Sequence, residues 1–285
     1  MELCHIARRA GRLSSFLLGE LGMSSGLMNK LKWIDAIRVN GVPRRTNFPV
    51  QPGDRITVRL DEEAPVYPAE DGPLEIVYED DHLLVVDKPP GMLIHPSRAQ
   101  FTGTLANLVA GYYRRAGQSS AFHPVTRLDR DTYGIVLLAK NAHIHALLQA
   151  APVEKTYHAL VLGRPAEEQG LIRAPIARRP LPSLLREVSP AGKPSVTGYQ
   201  VLETGAGWSK LALRPFTGRT HQLRVHCAYM GCPILGDPQY GNDRSWALSQ
   251  ALGLDHQRLC AKSLAFPHPI GGEALVLHSR MDATL

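Results

Sequence analysis

Short apolar runs of strand length outnumber helical stretches in this chain, and the two kinds do not alternate. Residues 74–78, 83–87, 134–139, 157–162, 197–202, 208–215 and 274–278 read as strands, whereas 104–113 and 141–149 read as helices. A strict strand–helix alternation would dictate a parallel sheet wound by crossovers. Its absence points to an α+β protein with a mostly antiparallel or mixed sheet. The acidic turn Glu79-Asp80-Asp81 joins the first two runs as a hairpin. At 285 residues the chain has room for about two domains and for a core that needs neither disulfides nor metal.

The first sixty residues form a unit of their own. Leu13, Phe16, Leu17 and Leu21 fall at helical spacing over 11–21. Ser24 and Ser25 suit an N-cap for a second helix over 27–36, with Leu27, Leu31 and Ile34 on one face. A strand over 37–39, the hairpin signal Asn40-Gly41, the turn Pro52-Gly53-Asp54 and a strand over 55–60 complete it. This segment holds ten Lys and Arg (Arg8, Arg9, Arg12, Lys30, Lys32, Arg38, Arg44, Arg45, Arg55, Arg59) against four acids (Glu2, Glu20, Asp35, Asp54). The chain's entire net charge of +6 therefore lies there. Such asymmetry fits a small basic module that meets a polyanion, attached to a near-neutral body. Residues 61–73, acidic and rich in proline, read as a linker.

Several function classes lose their support. The four cysteines, Cys4, Cys227, Cys232 and Cys260, match neither a disulfide framework nor a zinc knuckle and read as reduced thiols. The twelve histidines form no metal-binding pattern, so no metal site is expected. There is no Walker A sequence, no G-x-G-x-x-G and no G-x-S-x-G. No apolar run is long enough to span a bilayer and no secretory leader is legible, so a cytoplasmic protein without a membrane partner is expected.

Two polar segments carry the chemistry. The first is Thr126-Arg127-Leu128-Asp129-Arg130-Asp131-Thr132-Tyr133-Gly134, directly before an apolar strand. A carboxylate in such a loop stands at the rim of the core, where an arginine can orient it as nucleophile or base. Taken alone, the segment also fits a solvated charged turn. The second, Thr217-Gly218-Arg219-Thr220-His221-Gln222-Leu223-Arg224-Val225-His226, follows a strand. It reads as a helix started by Thr217-Gly218, with Arg219, Leu223 and His226 on one face and His221 and Arg224 on another. Its N-terminus would suit a phosphate.

Residues 11–58, GRLSSFLLGELGMSSGLMNKLKWIDAIRVNGVPRRTNFPVQPGDRITV, resemble the alpha-L RNA-binding domain through the order helix, serine cap, basic helix, VNG and PGD. Five further blocks resemble the RluA-type pseudouridine synthase family. These are LEIVYEDDHLLVVDKPPGMLIHPS (74–97), RLDRDTYGIVLLAKN (127–141), EKTYHALVLG (154–163), RPFTGRTHQLRVHCAYMGCPILGDPQYG (214–241) and AFPHPIGGEAL (265–275). The resemblance implies an alpha-L module over 1–60, a linker over 61–73 and a synthase domain over 74–285 with a long mixed sheet. It implies isomerisation of uridine to pseudouridine in structured RNA, ribosomal ahead of transfer RNA, by a monomer without cofactor or metal. Residue by residue, Asp129 matches the catalytic aspartate, Tyr157 the tyrosine that stacks on the target base, and Arg224 the basic partner of the aspartate. Lys30, Lys32, Arg38, Arg44, Arg45, Arg127 and Arg219 are the expected RNA contacts, while His221 and His226 are expected to orient their loop. Asp131 matches a motif position without an assigned role.

The chain departs from the family pattern in three places. Thr126 stands where His is usual and Tyr133 where Ser is usual; these changes leave the identity of the flanking RNA bases open and do not touch Asp129, Tyr157 or Arg224. RLCAKSL precedes FPHP in place of a familiar LHA. Two other readings of the residues compete. One is a glycosidase using Asp129 and Asp131, against which stand their close spacing and an aromatic content of 6%. The other is a catalytically silent RNA-binding or ribosome-assembly protein, which would have no use for Asp129, Tyr157 and Arg224 together.

Overall fold

The computed structural model describes residues 2–60 and 67–285. The N-terminal sheet runs Glu2–Ile6, Arg55–Arg59, Ile37–Val39, Val42–Pro43, all antiparallel. Glu2–Ile6, a strand the sequence did not reveal, closes it by pairing along the whole of Arg55–Arg59. Beneath lies a core built almost wholly from the module's own residues, Leu3, Leu13, Phe16, Leu17, Leu31, Ile37, Val50, Ile56 and Val58 among them.

The two helices differ from expectation. Leu13–Ser15 is α-helical, but Phe16–Glu20 widens into a π turn that brings the Leu21 amide onto the Phe16 carbonyl at 2.9 Å. Ser24 does cap the second helix, accepting from the Leu27 amide at 3.1 Å, and that helix spans Ser25–Leu31. It stops short of Ala36 because Asp35 takes a left-handed conformation (φ 52°) and the Ala36 amide turns back to the Leu31 carbonyl. Trp33 and Ile34 are thereby turned outward and exposed, so Ile34 does not share the buried face of Leu31.

The larger sheet has, among the described residues, the order Gln169–Arg173, Val196–Gly205, Trp208–Pro215, Glu154–Leu162, Leu259–Pro267, Tyr133–Ala139, Leu83–Lys88, Glu75–Glu79. His123–Pro124 and Ala274–His278 attach to its centre. Its pairs are antiparallel except Tyr133–Ala139 against Leu259–Pro267. The sheet is thus long and mixed, and the chain is α+β as expected. Gly134 makes the parallel contact feasible: its φ is 105°, and a Cβ there would stand 2.4 Å from the Ala261 carbonyl oxygen. The Leu259–Pro267 strand, absent from the sequence reading, lies at the sheet's centre. The helix Asp243–Ala251 was likewise not foreseen.

Residues 67–73 do not behave as a linker. Their backbone lies along the Leu105–Arg115 helix, with the Glu70 amide on the Asn107 carbonyl and the Asn107 side chain donating to the Pro68 carbonyl, both at 3.0 Å. Gly111 permits the approach, since a Cβ there would meet the Glu70 carbonyl oxygen at 1.9 Å. The rest of the expected linker, 61–66, lies outside the described residues.

Candidate active site

The loop carrying Asp129 is anchored at both ends by buried side chains. At its start, the Thr126 hydroxyl accepts the Leu137 amide at 3.0 Å. At its end, the Tyr133 hydroxyl donates to the Asp282 carbonyl at 3.2 Å, and its ring meets His256 edge-on. Both departures from the family pattern are therefore buried side chains that hold the ends of the loop.

A third anchor escaped the sequence reading. Lys88 is fully buried, and its Nζ donates to the carbonyls of Pro89 (2.9 Å), Met92 (2.9 Å) and Arg130 (2.8 Å). Three ammonium protons thus meet three carbonyl acceptors, one of them next to Asp129 in the chain. Burial pulls the Lys88 pKa down to about 7, against the opposing charges of Asp131 and Asp129. Lys88→Met fills similar space without donors. It is expected to cost about 1–3 kcal/mol of stability in denaturant titration, through unsatisfied buried carbonyls. It is also expected to lower kcat by up to about 100-fold with KM little changed, because the reacting loop loses its fixed position. Unchanged kcat in a destabilised variant would confine Lys88 to folding.

Arg224 comes from the helix Gln222–Tyr229. The helix begins at Gln222, later than expected, because His221 adopts a left-handed conformation (φ 57°). Arg219 therefore lies outside the helix, in an exposed turn whose amide donates to the Gln222 side chain at 3.0 Å, and does not share a helical face with Leu223 and His226. Nη1 of Arg224 lies 3.1 Å from Oδ2 of Asp129, across 95 positions of sequence. The remainder of the guanidinium is bound behind: Nε donates to Asp237 Oδ2 at 2.7 Å, and Nη2 to Asp237 Oδ1 at 2.8 Å and to Gln239 at 2.9 Å. The Asp237 side chain is wholly buried and that of Arg224 is 6% exposed, whereas that of Asp129 is 30% exposed. Burial alone would disfavour the guanidinium's charge. The two carboxylates, Asp237 above all, outweigh it and raise the Arg224 pKa. The arginine is thus fixed from behind and offers one N–H to a carboxylate that solvent can reach.

Tyr157 sits in the strand Glu154–Leu162, where the register against Leu259–Pro267 shifts between Thr156 and Tyr157. Its ring packs against two neighbouring cores. Burial first, and the Asp129 charge second, raise its phenol pKa, so the hydroxyl stays protonated at neutral pH. His221 completes the cluster: its Nδ1 is 2.7 Å from the Tyr240 hydroxyl and its Nε2 is 3.9 Å from Asp129 Oδ2. Burial lowers its pKa and favours the neutral ring. Tyr240 also stacks beneath Arg224, 4.8 Å from guanidinium carbon to ring centroid. His226, by contrast, is buried away from the cluster between Thr197 and the Ala174 carbonyl.

The fold therefore brings Asp129, Tyr157, Arg224 and His221 together. Arg127 lies exposed on the same loop as Asp129. Lys30, Lys32, Arg38, Arg44 and Arg45 lie in the N-terminal module. Asp237, Gln239, Tyr240 and Lys88 were missed, although GDPQY and DKPP stand inside the motif blocks; motif letters do not say which side chains meet. Asp129 is bound by Arg224, and the charges of both Asp131 and Asp129 bear on Lys88. Among the described residues no group of His, Cys, Asp and Glu could hold a metal ion.

Residues 82–229 match the family model described as RNA pseudouridylate synthase. The chain belongs to that family. Its relatives include the RNA pseudouridine synthase YjbO of Bacillus subtilis, 38% identical over 92% of both chains. They also include the ribosomal large subunit pseudouridine synthase C of Vibrio cholerae, 34% identical over 96% of this chain and 90% of that one. Among solved structures it resembles human RNA pseudouridylate synthase domain containing 1, with a TM-score of 0.61 and 28% identity over 77% of this chain and 88% of that one. The protein is an RNA pseudouridine synthase of the RluA type, an isomerase of uridine in RNA.

Proposed function

We propose that this synthase modifies ribosomal RNA of the large subunit, with Asp129, Tyr157 and Arg224 as its catalytic residues and 1–60 as its RNA-gripping module. The observation that carries the residue assignment is the 3.1 Å contact between Arg224 and Asp129, beside Tyr157. The names of relatives such as ribosomal large subunit pseudouridine synthase C support the choice of RNA. That RNA would place a monomeric enzyme in the cytoplasm.

The reaction conserves atoms. The N1–C1′ bond breaks, the uracil turns in place, C5 bonds to C1′, and the C5 proton leaves while N1 gains one. The base must first leave its stack, which costs a few kcal/mol. Stacking on Tyr157 returns roughly 1–3 kcal/mol. Asp129 serves as the group that attacks the sugar or the base, or takes a proton on a glycal route. Arg224, fixed by Asp237, holds that carboxylate at one place as the base turns. Incubating the purified protein with unmodified transcripts of large-subunit ribosomal RNA and of transfer RNA, followed by carbodiimide mapping of pseudouridine, tests the substrate. Product on the ribosomal transcript is expected. Product confined to transfer RNA would overturn that choice.

The basic module is assigned affinity. Arg38 and Arg44 are both exposed there. The double variant Arg38→Gln, Arg44→Gln is expected to reduce the slope of log K against log salt by about one for each phosphate that is no longer neutralised, with single-turnover rates at saturating RNA unchanged. An unaltered slope would mean these arginines do not meet phosphate.

A further inference from the structure

Trp33 is 70% exposed on the basic module. It is placed there by the end of the Ser25–Leu31 helix, where the chain turns so that Leu31 and Ala36 enter the core and the indole stays outside. Two cations attend the ring, with Lys32 Nζ at 5.2 Å and the Arg45 guanidinium at 4.7 Å from a ring centroid. Arg45 comes from a different loop, and its guanidinium also donates to the Lys32 carbonyl, which fixes it against the indole. A few residues on, the Arg44 guanidinium lies 4.4 Å from the Phe48 ring centroid.

This combination selects its ligand. The 70% exposed indole keeps aromatic surface available for stacking, and the positive charge held over its ring favours a flat aromatic group that carries negative charge. An unpaired nucleotide meets both requirements, whereas a duplex keeps its base faces inside the stack. We propose that Trp33 is a stacking platform for one unpaired base of the RNA, with Lys32 and Arg45 against the adjoining phosphates. The proposal rests on the reading of residues 1–60 as the RNA-gripping module and specifies a non-ionic contact within it.

The test uses the full chain as Trp33→Ala, Trp33→Phe and Arg45→Gln, with large-subunit ribosomal RNA transcript and a fully paired RNA duplex as probes. Trp33→Ala is expected to weaken transcript binding by about 5- to 100-fold with the salt slope unchanged, since stacking releases no counterions. Trp33→Phe should retain most of the affinity, and the duplex should bind the wild type and both Trp33 variants alike. Arg45→Gln should lower the slope. Normal transcript affinity in Trp33→Ala overturns the proposal, as does an equal loss on the duplex. A slope lowered as far as in Arg45→Gln also overturns it, because Trp33 would then merely position the arginine. Pseudouridine formation by the wild type on the same transcript separates the two levels. A wild type that binds and modifies while Trp33→Ala binds normally defeats only the platform, whereas a wild type that neither binds nor modifies defeats the module's assignment as well.

Discussion

Asp129→Asn is expected to lower pseudouridine formation by about 10³-fold or more while RNA affinity stays within about twofold of the wild type. The substitution preserves shape, and an amide oxygen can still accept from Arg224 Nη1, which lies 3.1 Å from Oδ2. What disappears is the negative charge needed to attack or to take a proton. The anchors of the loop, Thr126, Tyr133 and Lys88, do not involve the carboxylate, so the fold should persist. Single-turnover kinetics with saturating transcript, alongside filter binding, separate chemistry from affinity. Near-wild-type turnover would remove Asp129 from the reaction.

Asp237→Ala should have the second largest effect, and on two quantities at once. It strips the buried Arg224 of its bidentate partner and leaves the guanidinium in a nearly dry site with Asp129 as its remaining carboxylate. Breaking a buried pair from one side costs about 3–5 kcal/mol. The amides of Gln239 and Tyr240, which also bond Asp237 Oδ1, lose their acceptor as well. Urea unfolding should register that loss, and the folded fraction should show reduced kcat because Arg224 no longer holds its orientation. Asp237→Asn, which keeps one acceptor, should fall between the two. A stable and fully active Asp237→Ala protein would show that Arg224 needs no support from behind.

Much of this architecture was legible because the sheet's edges and hairpins follow local rules. The Trp208–Pro215 and Ala274–His278 strands lie where alternation placed them, and Ser24 and Asn141 cap the helices they precede. The failures have both long-range and local causes. Leu259–Pro267 contains Lys262 and Ser263 within an apolar run, and its place at the sheet's centre depends on pairing with strands more than a hundred residues away. The second helix of the basic module ended early because a left-handed Asp35 closes it, a conformation to which periodicity is blind. At the site, the motif blocks located Asp129, Tyr157 and Arg224. The support behind them, Asp237, Tyr240 and Lys88, is a product of three-dimensional contact and carried no separate signal.

The most direct test is to map pseudouridine across large-subunit ribosomal RNA from cells lacking this gene, and from the same cells carrying either the wild-type or the Asp129→Asn chain. One or more pseudouridines should disappear in the deletion, return with the wild type, and stay absent with Asp129→Asn although that protein is present at equal level. An unchanged map in the deletion strain, or full restoration by Asp129→Asn, would contradict the account.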